Sequence, residues 1–167
     1  MKRVKRVPVR PVAGDGMRQR GFTLIELLVT IAVIVIMATI AIPGFQSMMA
    51  TNRLNSDYNE VLSGLHLARS EAIKRREEVS FEVVAGSPWK YRVYVTDEGS
   101  DDPIRTRTAS GDEITLSDGS TVEFDRLGRI VESTDCDGGC TLTVSHDDGG
   151  SKNIQISGFG RIGRGGS

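Results

Sequence analysis

Residues 22–42 form an unbroken apolar run, FTLIELLVTIAVIVIMATIAI, in which Glu26 is the single charge. At a rise of 1.5 Å per residue, a helix of this length measures roughly 30 Å, which matches the hydrocarbon core of a bilayer. The pattern therefore predicts a helix that spans a membrane.

The residues before this run predict its orientation. Arg18 and Arg20 lie on the amino-terminal side, and the positive-inside rule places that side in the cytoplasm. An ordinary signal anchor and a cleaved secretory signal peptide are the simpler interpretations. Because the run is longer than a signal-peptide core and no A-x-A-like site follows it closely, we do not expect the whole segment to be removed.

The chain after Pro43 keeps a helical period to about Arg76. Apolar side chains recur there at intervals of three and four residues, at Leu54, Tyr58, Val61, Leu62, Leu65, Ala68, Ala72 and Ile73. This stripe predicts a face that packs on a sheet, and the polar residues between them (Asn55, Asp57, Glu60, Ser63, Arg69, Glu71 and Lys74) predict a solvated face. Pro43 either bends or interrupts the helix, or marks the end of the span. The combined helix of about 55 residues, or roughly 80 Å, is typical of a filament subunit.

Beyond residue 78 the period changes to two. Alternation at 79–83 and 91–95 predicts strands, and shorter pieces follow at 113–116, 121–125, 129–132, 141–145 and 153–157. Glycine- and aspartate-rich turn signals separate them. We expect an α+β fold in which seven short antiparallel strands lie on the helix, with residues 97–112 as a polar loop.

The net charge of −1 is unevenly distributed. Residues 1–21 carry seven basic residues and one acid, so the remaining 14 basic and 21 acidic residues give a net charge of about −7. Such a surface excludes a cationic protein that coats nucleic acid. Two histidines and two cysteines offer little for a metal or nucleophile site, and no catalytic motif stands out. The sequence predicts a protein that is not an enzyme.

Glu26 is anomalous in an apolar helix, because a charge at the centre of a span costs about 2.5–3.5 kcal/mol. It lies one helical turn after Phe22. A cut between Gly21 and Phe22 would create an α-amine, and the same amine on a neighbouring subunit could neutralise Glu26. The string Gly21-Phe22-Thr23-Leu24-Ile25-Glu26 resembles the class III leader site of type IV pilins and type II secretion pseudopilins. The resemblance implies cleavage after Gly21 and N-methylation of Phe22, which keeps the positive charge.

Two further features resemble this family. Pro43 stands where family members carry a proline, and residues 65–75 resemble the end of the first helix in the GspH/FimT branch of minor pilins and pseudopilins. The resemblance implies a type IV pilin-like fold. It also implies assembly with other minor and major pilins or pseudopilins, processing by a prepilin peptidase, and contact with an inner-membrane assembly platform and membrane lipid.

Cys136 and Cys140 are four residues apart in the part of the chain expected outside the cytoplasm. A disulfide that staples a turn is the favoured interpretation. A redox motif would have two intervening residues, and a zinc site would need more ligands. Residues 135–138 and 146–150 have a weak likeness to calcium loops, although the spacing of an EF-hand is lacking. We therefore predict no cofactor, with calcium as the weak alternative.

The carboxyl end is basic and rich in glycine. After Asp148 it holds Lys152, Arg161 and Arg164 and no acidic side chain. It resembles the end of FimT-like minor pilins, whose Gly-Arg-x-Arg motif implies DNA binding during uptake. This chain departs from the motif, because Gly160-Arg161-Ile162-Gly163-Arg164 has one residue more between the arginines. A solvated basic tail that balances an acidic domain is the alternative.

These features predict four segments: a cleaved cytoplasmic leader (1–21), a transmembrane and filament-core helix (22–42), its amphipathic continuation (43–77) and a periplasmic β-rich domain (78–167). The expected function is that of a minor pilin or pseudopilin near the tip of a filament anchored in the bacterial inner membrane. A type IV pilus subunit that binds DNA is one alternative. A membrane-anchored periplasmic domain outside any filament is the other.

Overall fold

The computed structural model describes residues 21–117, 121–131, 136 and 138–165. These residues form one helix and eight strands, which confirms the α+β class. The elements are α1 (Leu24–Arg75), β1 (Val79–Val84), β2 (Lys90–Val95), β3 (Arg105–Thr108), β4 (Ile114–Leu116), β5 (Thr121–Phe124), β6 (Gly139–His146), β7 (Gly150–Ser157) and β8 (Ile162–Arg164).

The helix α1 has a defined start and end. At the start, the Glu26 backbone N–H donates to Thr23 Oγ1 at 3.3 Å, which caps the first turn. Pro43 lies inside the helix and does not interrupt it. At the end, Arg76 takes a left-handed conformation with φ of 61° and closes the last turn through its N–H to the Ala72 carbonyl.

The chain divides between Ile40 and Ala41 into two compact units. In the first, residues 24–40 are helical, and the described residues are almost entirely exposed. By length and composition this helix is apolar enough to cross a membrane, with a mean hydropathy of 2.8 over its most apolar window. The second unit, called the domain below, contains the core.

Two four-stranded antiparallel sheets form the domain together with the second part of α1. The first sheet has the order β3-β2-β1-β5 and the second the order β4-β6-β7-β8. Buried side chains of α1, beginning at Ala50 and Leu54, join those of both sheets in one core. The core begins on the helix where the exposed apolar run ends.

Three predictions about the strands were wrong. Residues 105–108, expected in a loop, form the edge strand β3. Their sequence, RTRT, has no apolar alternation, and the strand is held by main-chain pairing with β2. Residues 162–164, expected in a tail, form β8 against β7. The strand predicted at 129–132 is reduced to one bridge between Phe124 and Ile130 in the described residues, and Glu132 lies outside them.

The predicted helix faces also need correction. Ile73, placed in the buried stripe, is 47 % exposed. Several residues of the predicted solvated face are partly buried and bonded to the sheets or to the loops beside them: Asn55, Asp57, Glu60 and Arg69. These helix residues are polar because they bond to polar groups of the sheets and loops.

Candidate functional site

The predicted processing site lies at the start of the helix. Gly21 and Phe22 precede α1, and the Phe22 side chain is 82 % exposed. Glu26 lies in the first turn and is exposed. Its carboxylate has no ion-pair partner among the described residues. A cation from outside this set could therefore reach it.

Thr23 was missed as a functional residue. Its hydroxyl accepts the Glu26 N–H, so it fixes the helical turn that carries the acid. The sequence contained the signal, because Thr-x-x-Glu before an apolar run is a capping-box pattern. Thr23 thus caps the helical turn that contains Glu26.

Large apolar side chains cover the helix from its start to Met49. They are exposed throughout: Leu24, Ile25, Leu27, Leu28, Val29, Ile31, Val33, Ile34, Val35, Ile36, Met37, Ile40, Ile42, Phe45, Met48 and Met49. A helix that is apolar on all sides requires lipid or other helices around it. Of the twenty large hydrophobic side chains that are exposed in the described chain, seventeen lie at residues 22–49.

Within the domain, a polar cluster joins α1 to the first sheet. Glu60 Oε1 accepts a hydrogen bond from the Tyr91 hydroxyl at 2.9 Å and forms ion pairs with Arg105 and Arg107 at 2.9 and 3.1 Å. Burial, followed by the bond to Glu60, raises the pKa of Tyr91 far above its usual value, so the phenol remains a donor. Trp89 Nε1 donates to Asp57 at 3.1 Å. These contacts join residues 31 to 47 positions apart, so no local signal predicts them.

Cys136 and Cys140 form a disulfide with Cα atoms 4.9 Å apart, as the sequence predicted. Gly139 between them has φ of +125°, and a Cβ there would lie 2.7 Å from the Ile156 carbonyl oxygen. The disulfide therefore closes the turn that leads into β6, and Gly139 allows the start of β6 to lie closely against β7.

The weak calcium prediction falls partly outside the described residues, which omit Asp135 and Asp137. At the other predicted place, His146 Nδ1 accepts the Asp148 N–H at 3.1 Å and closes the β6–β7 turn. Within the described ranges, no three side chains suited to a metal ion converge.

The three basic residues of the carboxyl end have different surroundings. Arg161 precedes β8 and Arg164 ends it, and both are exposed and line a groove of about 570 Å³ with Gly163 between them. Lys152 donates to Asn55 and lies 5.5 Å from the centroid of the Tyr58 ring. It shares a second cleft with Arg164. The structure thus brings the two arginines together and ties Lys152 to α1.

A helix with an exposed apolar first part and a second part packed on antiparallel sheets defines the class of type IV pilin-like subunits. The sequence profile of the family described as type II transport protein GspH matches residues 57–160, more than half of the chain. The chain belongs to this family. The profile of the prokaryotic N-terminal methylation motif matches residues 16–42, which supports the interpretation of a membrane-anchored pilin.

Individual relatives are pilins. The type IV narrow pilus major component PilA5 of Thermus thermophilus is 28% identical over 114 residues, covering 68% of this chain and 90% of that protein. The type IV major pilin PilA of Myxococcus xanthus is 35% identical over 83 residues, 46% of this chain and 37% of that protein. A fimbrial protein of Pseudomonas aeruginosa is 43% identical over 61 residues, 36% of this chain and 39% of that protein. The chain thus spans about two fifths of the length of these last two.

Two crystal structures of the type IV minor pilin FimU of Pseudomonas aeruginosa share the fold. One has a TM-score of 0.57 at 22% identity and covers 69% of this chain and 90% of FimU. The other has a TM-score of 0.50 at 25% identity and covers 71% and 92%. The predicted pilin fold and family are confirmed. Pilins as a class assemble with other pilins, and the site residues stay predictions.

Proposed function

We propose that this protein is a minor pilin or pseudopilin of the type II secretion and type IV pilus machineries, with a structural role and no enzymatic one. It assembles near the tip of a filament anchored in the bacterial inner membrane. The observation that carries the proposal is the exposed apolar helix, which ends where the buried stripe begins at Ala50. In the membrane lipid covers this surface, and in the filament neighbouring helices replace the lipid.

Processing precedes assembly. A prepilin peptidase removes the cytoplasmic leader 1–21 by cutting between Gly21 and Phe22, and Phe22 is N-methylated. The new amine lies one helical turn from Glu26, on a turn that Thr23 caps. When helices come together, the amine of one subunit neutralises Glu26 of the next, which removes the cost of an unpaired charge in an apolar environment. The domain then faces the periplasm.

Processing is tested by mass spectrometry of the chain from cells that contain a prepilin peptidase. We expect loss of residues 1–21 and one added methyl group on Phe22. Gly21→Val blocks cleavage, whereas Gly16→Val, a matched change elsewhere in the leader, leaves it intact. An uncut Gly21–Phe22 bond in the unmodified chain would favour an anchored domain outside any filament.

Assembly is tested with Glu26→Gln and the control Glu77→Gln, an exposed acid just beyond α1. Both variants are cleaved, but only the control is recovered with sheared filaments. Recovery of Glu26→Gln at the level of the unmodified chain would refute the role of the charge pair. The other proteins in the sheared fraction identify the machinery as a secretion pseudopilus or a pilus.

DNA binding is the second candidate, and the groove lined by Arg161 and Arg164 favours it. Neither guanidinium has an ion-pair partner among the described residues. Together with Lys152 they could contact three phosphates, which would give a salt slope of about −3 and weak binding.

The DNA candidate is tested with the full chain in detergent and duplex DNA at low and moderate salt. Arg161→Ala/Arg164→Ala should lose salt-sensitive binding. Arg76→Ala/Arg126→Ala, which removes the same charge elsewhere, should retain it. Equal loss in both variants would reduce the effect to net charge, and no binding by the unmodified chain at low salt would refute this candidate.

A further inference from the structure

A cleft of about 440 Å³ lies where α1 meets the second sheet. The helix, β7 and the end of β8 supply its walls, and its lining residues are Tyr58, Ser151, Lys152, Asn153, Arg164 and Gly165. Two of these residues are basic and none is acidic. This cleft, called the Tyr58 cleft below, therefore has a positively charged lining in a domain whose net charge is negative.

The hydroxyl of Tyr58 has no hydrogen-bond partner among the described residues. The Tyr58 side chain is 3 % exposed, and its oxygen is buried. Buried polar groups are nearly always bonded, because an unpaired one loses its bonds to water without replacement. Phenylalanine would fill the same space without this cost. The hydroxyl is therefore a donor available to an acceptor that enters the cleft.

Lys152 is a partly buried cation whose contacts are to neutral groups. Its Nζ donates to Asn55 Oδ1 and lies 5.5 Å from the centroid of the Tyr58 ring. The nearest acids of α1, Asp57 and Glu60, are bonded on the side of the first sheet. A cation withdrawn from water is stabilised when an anion pairs with it. The surroundings of Lys152 thus favour a bound anion.

The register of β7 and β8 places Arg164 beside Lys152. Arg164 pairs directly with Ile154, and Lys152 lies two residues before Ile154, so the two cations are diagonal neighbours on one face of the sheet. Neither has an ion-pair partner among the described residues, and these include Asp147 and Asp148 of the preceding turn. Since like charges repel, an anion held by both cations would remove an unfavourable interaction.

We propose that the Tyr58 cleft binds a phosphate monoester. The phosphate oxygens accept hydrogen bonds from the Tyr58 hydroxyl, Lys152 Nζ and the Arg164 guanidinium. A phosphate monoester carries a charge of about −1.5 to −2 and three strong acceptor oxygens, so it balances both cations and also supplies an acceptor for the hydroxyl. A carboxylate or a phosphate diester of the DNA backbone carries a single charge and leaves one cation unbalanced.

This inference is independent of the filament function and differs from the DNA candidate. The groove of that candidate contains Arg161, which does not line the Tyr58 cleft. The two sites share Arg164, whereas the Tyr58 hydroxyl belongs to the cleft alone. A variant at Tyr58 therefore separates the two.

Isothermal titration calorimetry of the full chain in detergent tests the ligand class, at constant ionic strength. Inorganic phosphate and glycerol 3-phosphate should bind saturably, and dimethyl phosphate and acetate at least tenfold more weakly. Equal affinity for the singly charged anions, or no binding of either doubly charged one, would overturn the proposal. Duplex DNA with and without 5′-phosphates distinguishes the source, because a preference for the phosphorylated duplex identifies a nucleic-acid end and equal binding identifies a small soluble ester.

Variants assign the binding to the cleft. Lys152→Met and Arg164→Ala should each weaken the binding of inorganic phosphate at least tenfold. Tyr58→Phe, which removes only the hydroxyl, should weaken it at least threefold. The matched controls Tyr94→Phe and Arg126→Ala change the same chemical groups outside the cleft, and they should bind like the unmodified chain. Unchanged affinity in the cleft variants, or an equal loss in the controls, would overturn the site.

A second readout needs no substitution, so it holds even where a variant fails to fold. Saturating phosphate should raise the denaturant midpoint of the unmodified chain, and acetate at the same ionic strength should not. An equal midpoint in both would overturn the proposal. Phosphate binding that appears only when four glycines are added after Ser167 would identify the terminal carboxylate of the chain as the occupant, which would also overturn it. None of these results bears on the recovery of Glu26→Gln with filaments, which tests the filament function separately.

Discussion

Gly64 allows a close approach between α1 and the first sheet. A Cβ at this position would lie 2.7 Å from Tyr91 Cζ and 2.9 Å from Phe81 Cε2. The two rings are stacked with centroids 4.8 Å apart and are fully buried, and the Tyr91 hydroxyl is bonded to Glu60. Because both rings are fully buried, we expect Gly64→Ala to push the helix and the sheet apart.

Two effects of opposite sign determine the size of the change. Alanine in place of glycine stabilises a helix interior by about 1 kcal/mol. Overpacking of a filled core costs about 1–3 kcal/mol. We therefore expect Gly64→Ala to lower the free energy of unfolding by about 1 kcal/mol. Without the clash, the same substitution would raise it by a similar amount.

The assay is denaturant unfolding of the full chain in detergent, followed by the fluorescence of Trp89, the single tryptophan, which is 3 % exposed. The neighbouring exposed position Ser63 supplies the control, because the difference between Ser63→Gly and Ser63→Ala measures helix propensity alone. Tyr91→Leu should reduce the cost of Gly64→Ala in a double-mutant cycle. If Gly64→Ala stabilised the protein as much as the Ser63 difference, the close approach of helix and sheet would be refuted.

The remaining predictions concern the core, the disulfide and a charged turn. Leu65 is fully buried, so Leu65→Ala should lower the free energy of unfolding by about 2–5 kcal/mol in the same assay. A loss below 1 kcal/mol would contradict its place in the core. Replacing Cys136 and Cys140 by serine should lower the free energy of unfolding by about 2 kcal/mol through loop entropy. The unmodified chain under reducing conditions should unfold at the same denaturant midpoint as this variant. Different midpoints for the two would argue against the disulfide. Burial alone would raise the pKa of Asp125, but hydrogen bonds from Arg129 and Leu127 outweigh it and hold the pKa below its ordinary value. That stabilisation is present above about pH 4 and is lost as the pH falls through the folded-state pKa. The difference in the free energy of unfolding between the unmodified chain and Asp125→Asn should therefore shrink toward pH 2. A constant difference from pH 6 to pH 2 would contradict this prediction.

Local patterns predicted the helix and most strands of this protein. The apolar run and the stripe from Leu54 to Ala72 follow helical periods, and alternation identified β1 and β2, so each signal is contained in one element. The class III leader string is equally local. Glu60 shows the limit, because its ion pairs with Arg105 and Arg107 join the helix to a strand 45 and 47 positions away.

Long-range pairing explains the other differences. The neighbours β1 and β5 are separated by three strands in the sequence, and no turn signal specifies such a pairing. The strand β3 is stabilised by its hydrogen bonds to β2 and not by apolar burial. Ile73 follows the stripe in the sequence but lies beside the Gly128 turn, at the margin of the core. In the candidate site, the two arginines share a groove only because β8 forms.

The outer strands of both sheets resist unwanted pairing with other chains. The strands β4 and β8 are three residues long, β3 carries two arginines on a polar sequence, and β5 leads into the bridge at Ile130. Short or charged edges are poor templates for β-sheet aggregation. In the proposed filament, unprotected edges would favour amyloid-like association between subunits. Assembly under that proposal depends on the helix and on side-chain surfaces, which dissociate and re-form more readily than an extended β-ladder.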